Sequence, residues 1–211
     1  MSWLKVLPCG PYATNAYLIG ADDSDSAVLI DAPPMCSGPV GEALEAAGRR
    51  LEAVLITHPH FDHVLDLGAV GAGGVTVMAH PDAPDRVASP DTYGLLPPMP
   101  MEDSPARVDR LLADGDELEL AGLSFLVRTV PGHDPASLAF HVPSENLAFV
   151  GDLIFRGGVG RTDLPGGSFD ILAESIQTRI YSMDEGTVLY PGHGPSTTVG
   201  EEKRSNPFVR G

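Results

Sequence analysis

The chain has 211 residues, 43% of them hydrophobic and 20% charged, which supplies a real core and reads as one globular domain over residues 1–211. Lys and Arg number 13 against 29 Asp and Glu, and the net charge of −16 repels phosphate backbones, excluding nucleic acid as an expected partner. Its apolar runs are strand-length, far short of the roughly 20 residues that cross a bilayer, and residues 1–8 carry neither an extended apolar stretch nor an Ala-x-Ala signal, so a cytoplasmic protein without membrane contact is expected.

Short β-rich runs alternate with helical patterns, as in mixed α/β chains. In chain order the expected elements are strands at 16–19 and 28–30, a helix at 40–47, and strands at 53–57, 75–79, 123–130, 138–141 and 147–150. A helix over 169–181 follows, with Phe169, Leu172, Ile176 and Ile180 on one stripe behind an N-cap at Ser168, and then a strand at 187–190. Between the fifth and sixth of these elements lies a stretch with Pro90, Pro97, Pro98, Pro100 and Pro105; residues 89–105 read as a surface loop that overhangs a site or as a rigid connection. The two cysteines, Cys9 and Cys36, have no C-x-x-C spacing and read as small buried residues, so any metal here is held by nitrogen and oxygen.

An internal echo points to the chemistry. An apolar strand runs into Pro131-Gly132-His133 and another into Pro191-Gly192-His193, while the strand at 53–57 delivers His58 and the strand at 147–150 delivers Asp152. Strands that end in metal-competent side chains gather them along one sheet edge, where α/β folds place their sites. The segment Thr57-His58-Pro59-His60-Phe61-Asp62-His63 adds a pattern H-x-H-x-D-H that coincidence explains poorly. A buried cluster of imidazoles and a carboxylate is costly unless every member is paired or bound to a metal. If His58 opens a loop, His58 and His60 point to one side while Asp62 and His63 turn to a neighbouring position.

These motifs resemble the metallo-β-lactamase superfamily and, within it, the glyoxalase II (hydroxyacylglutathione hydrolase) branch of short, single-domain bacterial type. The resemblance runs from Thr14-Asn15-Ala16-Tyr17-Leu18-Ile19 through the histidine motif, Gly151-Asp152-Leu153-Ile154-Phe155 and Gly160-Arg161-Thr162-Asp163-Leu164-Pro165-Gly166-Gly167 to Pro191-Gly192-His193-Gly194-Pro195. It implies a four-layer αββα sandwich with the metal site at one edge of two sheets. One metal is held by His58, His60 and His133, a second by Asp62, His63 and His193, with Asp152 bridging both and Asp31 supporting the metal loop from beneath. Arg161 and Asp163 fall where the family places substrate-contacting groups; an internal ion pair between them is the other reading. The short stretch after His193 leaves no room for the helical glutathione-binding domain of longer relatives. Departures from the family pattern are Pro59, Ala32-Pro33-Pro34, and Asp134 with Ala136 beside His133, where Asp134 either tightens the metal site or discourages an anionic substrate.

Nitrogen and oxygen ligands suit two divalent ions, zinc first, with iron or manganese as alternatives. Such a pair lowers the pKa of a shared water and polarises a carbonyl. Asp62 has a second possible role in hydrogen bonding or proton transfer to that water. A thioester fits this chemistry because a thiol of pKa roughly 8.5 leaves as thiolate without a general acid. The resemblance then implies an S-2-hydroxyacylglutathione such as S-D-lactoylglutathione as the substrate. The alternative is a mononuclear-iron persulfide dioxygenase using His58, His133 and Asp152 on glutathione persulfide; a β-lactamase and a non-catalytic metal module rank below both. His80 and His141 read as strand-end residues outside the site.

Overall fold

In the computed structural model, which describes residues 2–90 and 106–211, each strand expected from the sequence forms, and the eight-residue β1 and several short strands join them. The first half contains β1 (Ser2–Cys9), β2 (Thr14–Ala21), β3 (Ser26–Ile30), α1 (Ser37–Ala47), β4 (Arg50–Leu55), α2 (Phe61–Val64), α3 (Leu67–Val70), β5 (Thr76–Ala79), α4 (Pro84–Ala88) and β6 (Arg110–Leu111). The second half contains β7 (Glu117–Leu120), β8 (Leu123–Thr129), β9 (Leu138–Val142), β10 (Leu147–Gly151), β11 (Ile154–Phe155), β12 (Gly158–Val159), α5 (Phe169–Ser175), β13 (Val188–Pro191), β14 (Thr197–Thr198) and α6 (Val199–Ser205).

Strands β1 to β6 form one six-stranded mixed sheet in chain order, and the second has the order β14-β13-β10-β9-β8-β7. Alternation along the strands builds four layers, because successive side chains face opposite sides of a sheet. Tyr17, Ile19, Val28, Ile30 and Leu55 point between the sheets, where they meet Phe125, Val127, Phe140 and Phe149 of the second sheet. Their neighbours Ala16, Leu18, Leu29, Val54 and Ile56 face outward and are covered by Val40 of α1, Leu67 of α3 and Val87 of α4. On the far side, Ala139, Ala148, Val150 and Leu189 lie under Leu172, Ile176, Ile180 and Val199. The αββα sandwich expected from the sequence is thus the architecture observed. Among the described residues no helix is long and apolar enough to cross a membrane.

Several local expectations change. The strand expected to reach Thr57 ends at Leu55, because the Thr57 N–H leaves the ladder and is donated to Asp31 Oδ1 at 2.7 Å. The expected helix 169–181 is α-helical only to Ser175 and widens to a π-turn over Ile176–Ile180, closed by Tyr181 N–H to Ile176 O at 2.8 Å. The wider turn keeps Ile176 and Ile180 fully inside, whereas Phe169, expected on the same stripe, is 44% exposed. Ser168 occupies the N-cap position, but its side chain caps nothing. Helix α1 begins at Ser37, a turn before the apolar repeat starts. Of the proline-rich stretch, residues 91–105 lie outside the described residues.

Phe149 fills the middle of the sandwich, with its ring 5.1 Å from that of Tyr17 and 5.5 Å from that of Tyr190. Phe149→Ala should cost about 3–5 kcal/mol in chemical denaturation, the usual cost of emptying such a site. A loss under about 1 kcal/mol would contradict this packing of the two sheets.

Candidate metal centre

The ends of several strands meet at one edge of the sandwich. In the first sheet β3 and β4 run parallel and end in Asp31 and the Thr57-His58 step. In the second, β10 and β13 are parallel and β8 runs the same way, so their ends deliver Asp152, His193 and His133 to the same side. The carbonyl of Thr57 accepts the Leu138 N–H at 2.7 Å and ties the two sheets together at this edge. Helix α2 then turns Asp62 and His63 toward the strand ends.

Three groups of side chains converge with ligand atoms within 4.8 Å of one another: His58, His60 and His133; Asp62, His63 and His193; and His58, His63 and Asp152. His133 Nε2 lies 3.2 Å from His58 Nε2 and 3.0 Å from His60 Nδ1. Asp152 joins the first two groups: one oxygen is 3.4 Å from His63 Nε2, the other 3.4 Å from His193 Nε2 and 3.8 Å from His133 Nε2. Asp62 Oδ2 sits 3.2 Å from His193 Nε2 and accepts the Thr14 hydroxyl at 3.2 Å.

The outer nitrogen of each of these rings faces an oxygen. His63 Nδ1 donates to Asp31 Oδ2 at 2.7 Å, His133 Nδ1 to the Arg161 carbonyl at 2.7 Å and His193 Nδ1 to the Tyr12 carbonyl at 3.2 Å. His58 Nδ1 meets Thr57 Oγ1 at 3.1 Å, and since that hydroxyl is itself donated to Asp31 Oδ2 at 2.7 Å, the ring nitrogen is the donor. His60 Nε2 lies 3.1 Å from Asp134 Oδ2. A proton held on the outer nitrogen leaves the inner one with a bare lone pair, the form in which imidazole ligates a metal.

Bare nitrogens about 3 Å apart repel unless a cation or a proton sits among them. In addition, His63 Nε2 and Asp152 Oδ1 are buried with no hydrogen-bond partner, although they face each other at 3.4 Å. Buried polar atoms left this way point to an unfilled bonding role. The donor set therefore fits divalent cations, and its nitrogen and oxygen composition selects no single one.

The electrostatics divide the rings. Burial, with His63, His60 and His133 nearby, holds His58 well below the ordinary imidazole range, and burial also lowers His133. For His63 burial again opposes the proton, but Asp152, Asp31 and Asp62 outweigh it and raise the ring well above that range. His193 is lifted to about 9 by Asp152 and Asp62 against its burial. Despite burial, the facing imidazoles keep both Asp62 and Asp152 below the usual carboxylate range.

The backbone makes this approach possible. A Cβ on Gly192 would collide with Asp152 Oδ1 and the His63 ring. Asn15 Nδ2 donates to the carbonyls of Pro191 and Gly194 at 3.0 and 2.9 Å, and Tyr17 Oη to that of Pro191 at 2.6 Å, fixing the loop that carries His193. Thr14, Asn15, Tyr17 and Thr57 complete the site, and the only mark of this in the sequence is their polar character beside apolar strand residues. Arg161 and Asp163 do not reach the cluster. They pair with each other through two bonds of 2.7 and 2.8 Å with 57% and 68% of their side chains exposed. Neither His80, whose Nδ1 accepts the Asp82 N–H, nor His141 belongs to any of the converging groups among the described residues. A cavity of about 280 Å³ opens over the cluster, rimmed by Tyr12, Pro59, Phe61, Arg86, Pro90 and Leu164.

Since His63 and His193 hold protons that a cation must displace, metal uptake at pH 7 should release about two protons, and affinity should rise with pH toward about 9, where His193 empties on its own. Titration calorimetry in two buffers of different ionisation enthalpy reads the number directly. Buffer-independent heats would contradict the assignment.

Residues 9–200 match the family model of the metallo-beta-lactamase superfamily. Among curated relatives, the probable metallo-hydrolase YqgX of Bacillus subtilis is 33% identical, covering 100% of this chain and 99% of its own length. The hydroxyacylglutathione hydrolase GloC of Haemophilus influenzae is 32% identical, covering 98% and 97%. Among solved structures, the BLEG-1 B3 metallo-beta-lactamase superposes with a TM-score of 0.90 at 34% identity, covering 99% of this chain and 100% of its own. A di-iron-bound form of TTHA1623 gives 0.83 at 36%, covering 97% and 100%, and ETHE1 from Myxococcus xanthus gives 0.81 at 28%, covering 98% and 84%. With its fold, its converging donors and a family match across most of its length, the chain belongs to the metallo-β-lactamase superfamily.

Proposed function

We propose that this metal-dependent hydrolase is a binuclear thioesterase of glyoxalase II type, cleaving S-2-hydroxyacylglutathione such as S-D-lactoylglutathione to the free acid and glutathione. In this reading His58, His60 and His133 hold one divalent cation, Asp62, His63 and His193 hold the other, and Asp152 serves both. Zinc is the cation proposed, with iron or manganese as substitutes; one domain carries the whole site, and the protein works in the cytoplasm. The observation that carries the reading is Asp152, whose two oxygens face imidazoles of both groups.

When bound, a cation pair supplies the Lewis acidity that ionises water near neutral pH and polarises a carbonyl. The protein's part is orientation and proton control. The outer oxygens fix which nitrogen of each ring faces inward, so the lone pairs that would hold the cations are aimed before a cation arrives. Asp62 is held ionised, and its Oδ2 faces both His193 and the Thr14 hydroxyl, which places an acceptor for that proton beside the second group. Arg161 lines the mouth and is proposed to meet the carboxylate end of the substrate by giving up its pair with Asp163, which would then accept from the substrate's N–H groups.

The choice of a thioester rests on what the loaded site would lack as an acid: His193, protonated without a cation, would give up that proton to serve as a ligand. Of the residues lining the cavity, the carboxyl groups Asp62 and Asp152 are both held ionised, and neither donates a proton at neutral pH. A thiolate leaves without one, whereas the amine of an amide or a β-lactam does not. Likeness to GloC supports the glutathione thioester, while likeness to BLEG-1 makes a β-lactam the control substrate.

A second reading, oxidation of glutathione persulfide at a single iron, draws support from the trio His58, His133 and Asp152 and from the likeness to ETHE1. It predicts one tightly held iron per chain and oxygen uptake with the persulfide.

Metal-replete protein should hydrolyse S-D-lactoylglutathione far faster than free metal does and faster than it opens a β-lactam. Asp152→Ala should abolish turnover, on the order of 10³-fold or more, and loosen both cations, because the shared carboxylate is removed. A wild-type rate no better than that of free metal overturns the thioesterase reading, and unchanged metal content in the variant overturns the bridging role.

A further inference from the structure

Asp134 directly follows His133, and the structure gives it a defined set of partners. It is 1% exposed, and its carboxyl group faces the Arg86 guanidinium. Arg86 grips it through two bonds, Nη1 to Oδ1 at 2.8 Å and Nη2 to Oδ2 at 2.6 Å, and the Ala136 N–H is donated to Oδ1 at 2.9 Å. The remaining face of Oδ2 looks at His60 Nε2 at 3.1 Å. Arg86 belongs to α4 in the first half of the chain and Asp134 follows His133 in the second, so the pair spans the two halves at the mouth of the site.

We propose that Asp134, clamped by Arg86, is a positioning residue that holds the His60 ring with its Nε2–H outward and its Nδ1 toward the group formed with His58 and His133. This deepens the proposed function, since it rests on that group holding a cation. Among the five inner rings His60 alone turns Nδ1 inward, toward His133 Nε2, and the others present Nε2. The ring can carry its proton on either nitrogen, so an outer partner has to choose between the two tautomers. A carboxylate chooses strongly, because it accepts from N–H and repels a bare lone pair.

The arrangement also gives each group one outer carboxylate. Asp31 stands behind His63 in the group with Asp62 and His193, and Asp134 stands behind His60 in the group with His58 and His133. A carboxylate behind a ligating imidazole raises its basicity and fixes its direction. Arg86 supplies the compensating charge that a buried carboxylate needs. Its planar fork suits this task, as two parallel bonds set the carboxylate plane as well as its position. The same commitment takes Arg86, although it lines the cavity, away from an anionic substrate. Of the alternatives open at the sequence level, Asp134 therefore tightens the metal site.

The test uses zinc alone, without substrate. Chelator competition on the wild type should resolve two dissociation constants, and Asp134→Ala should weaken one of them about 10–100-fold while leaving the other within about threefold. Arg86→Lys, which keeps the cation and loses the fork, should weaken the same constant by a smaller factor. Long-range proton–nitrogen correlation spectra of the metal-free proteins should show His60 protonated on Nε2 in the wild type and in Asp134→Asn, and as a tautomer mixture in Asp134→Ala. If Asp134→Ala does not fold, Arg86→Lys and Asp134→Asn carry the test. Unchanged zinc constants together with unchanged His60 ring signals would overturn the inference. A wild type that binds zinc as described but hydrolyses no thioester overturns the proposed reaction and leaves this inference standing.

Discussion

The structure turns on the repulsion among the imidazole nitrogens that face inward at about 3 Å, with Asp152 between them. Without a bound cation such a grouping depends on restraint from behind each ring and, around His63 and His193, on protons held by the facing carboxylates. His63 and His193 are raised and hold the protons, and the outer nitrogens of all the rings face oxygens. A site pre-arranged in this way meets a cation with little reorganisation, which is where fixed dipoles and charges gain their effect.

The fold around it can be read as the means of keeping those restraints in place. Parallel strand ends bring Asp31 and His58 from one sheet to His133, Asp152 and His193 of the other. Asp31 sits at a positive φ of 60°, a conformation that costs a non-glycine residue of order 1–3 kcal/mol. From there its carboxylate accepts the Thr57 N–H, the Thr57 hydroxyl and the His63 ring together. The strain is offset by three charge-assisted bonds, each stronger than a neutral one. Gly192 does a comparable job by having no Cβ where Asp152 and His63 close in.

Much of this was legible from the residues. Short apolar, β-rich runs located the interior strands, and the repeated Pro-Gly-His ends with H-x-H-x-D-H located the donors. What escaped was short or irregular. β6, β11, β12 and β14 have two residues each and give periodicity nothing to work on, and β1 alternates poorly because it lies at a sheet edge with Val6 exposed. Phe169 fell off the buried stripe because the helix changes pitch after Ser175, a change that no residue in the segment announces. The outer partners were harder still, except Asp31, which the family resemblance supplied. The Tyr12 and Arg161 carbonyls have no side-chain signature, and the Arg86 to Asp134 pair joins positions 48 residues apart. Arg161 and Asp163 had two readings, substrate contact or an ion pair with each other, and in the structure they form the pair at the surface.

The account stands on two cations sharing one carboxylate. Metal analysis of the purified protein, combined with anomalous diffraction at the absorption edge of the metal found, addresses that claim most directly. Two ions per chain are predicted, about 3.5–4 Å apart, one against His58, His60 and His133, the other against Asp62, His63 and His193, with Asp152 touching both. Metal-saturated crystals with no ion at this edge, or with ions that leave Asp152 unligated, would contradict it.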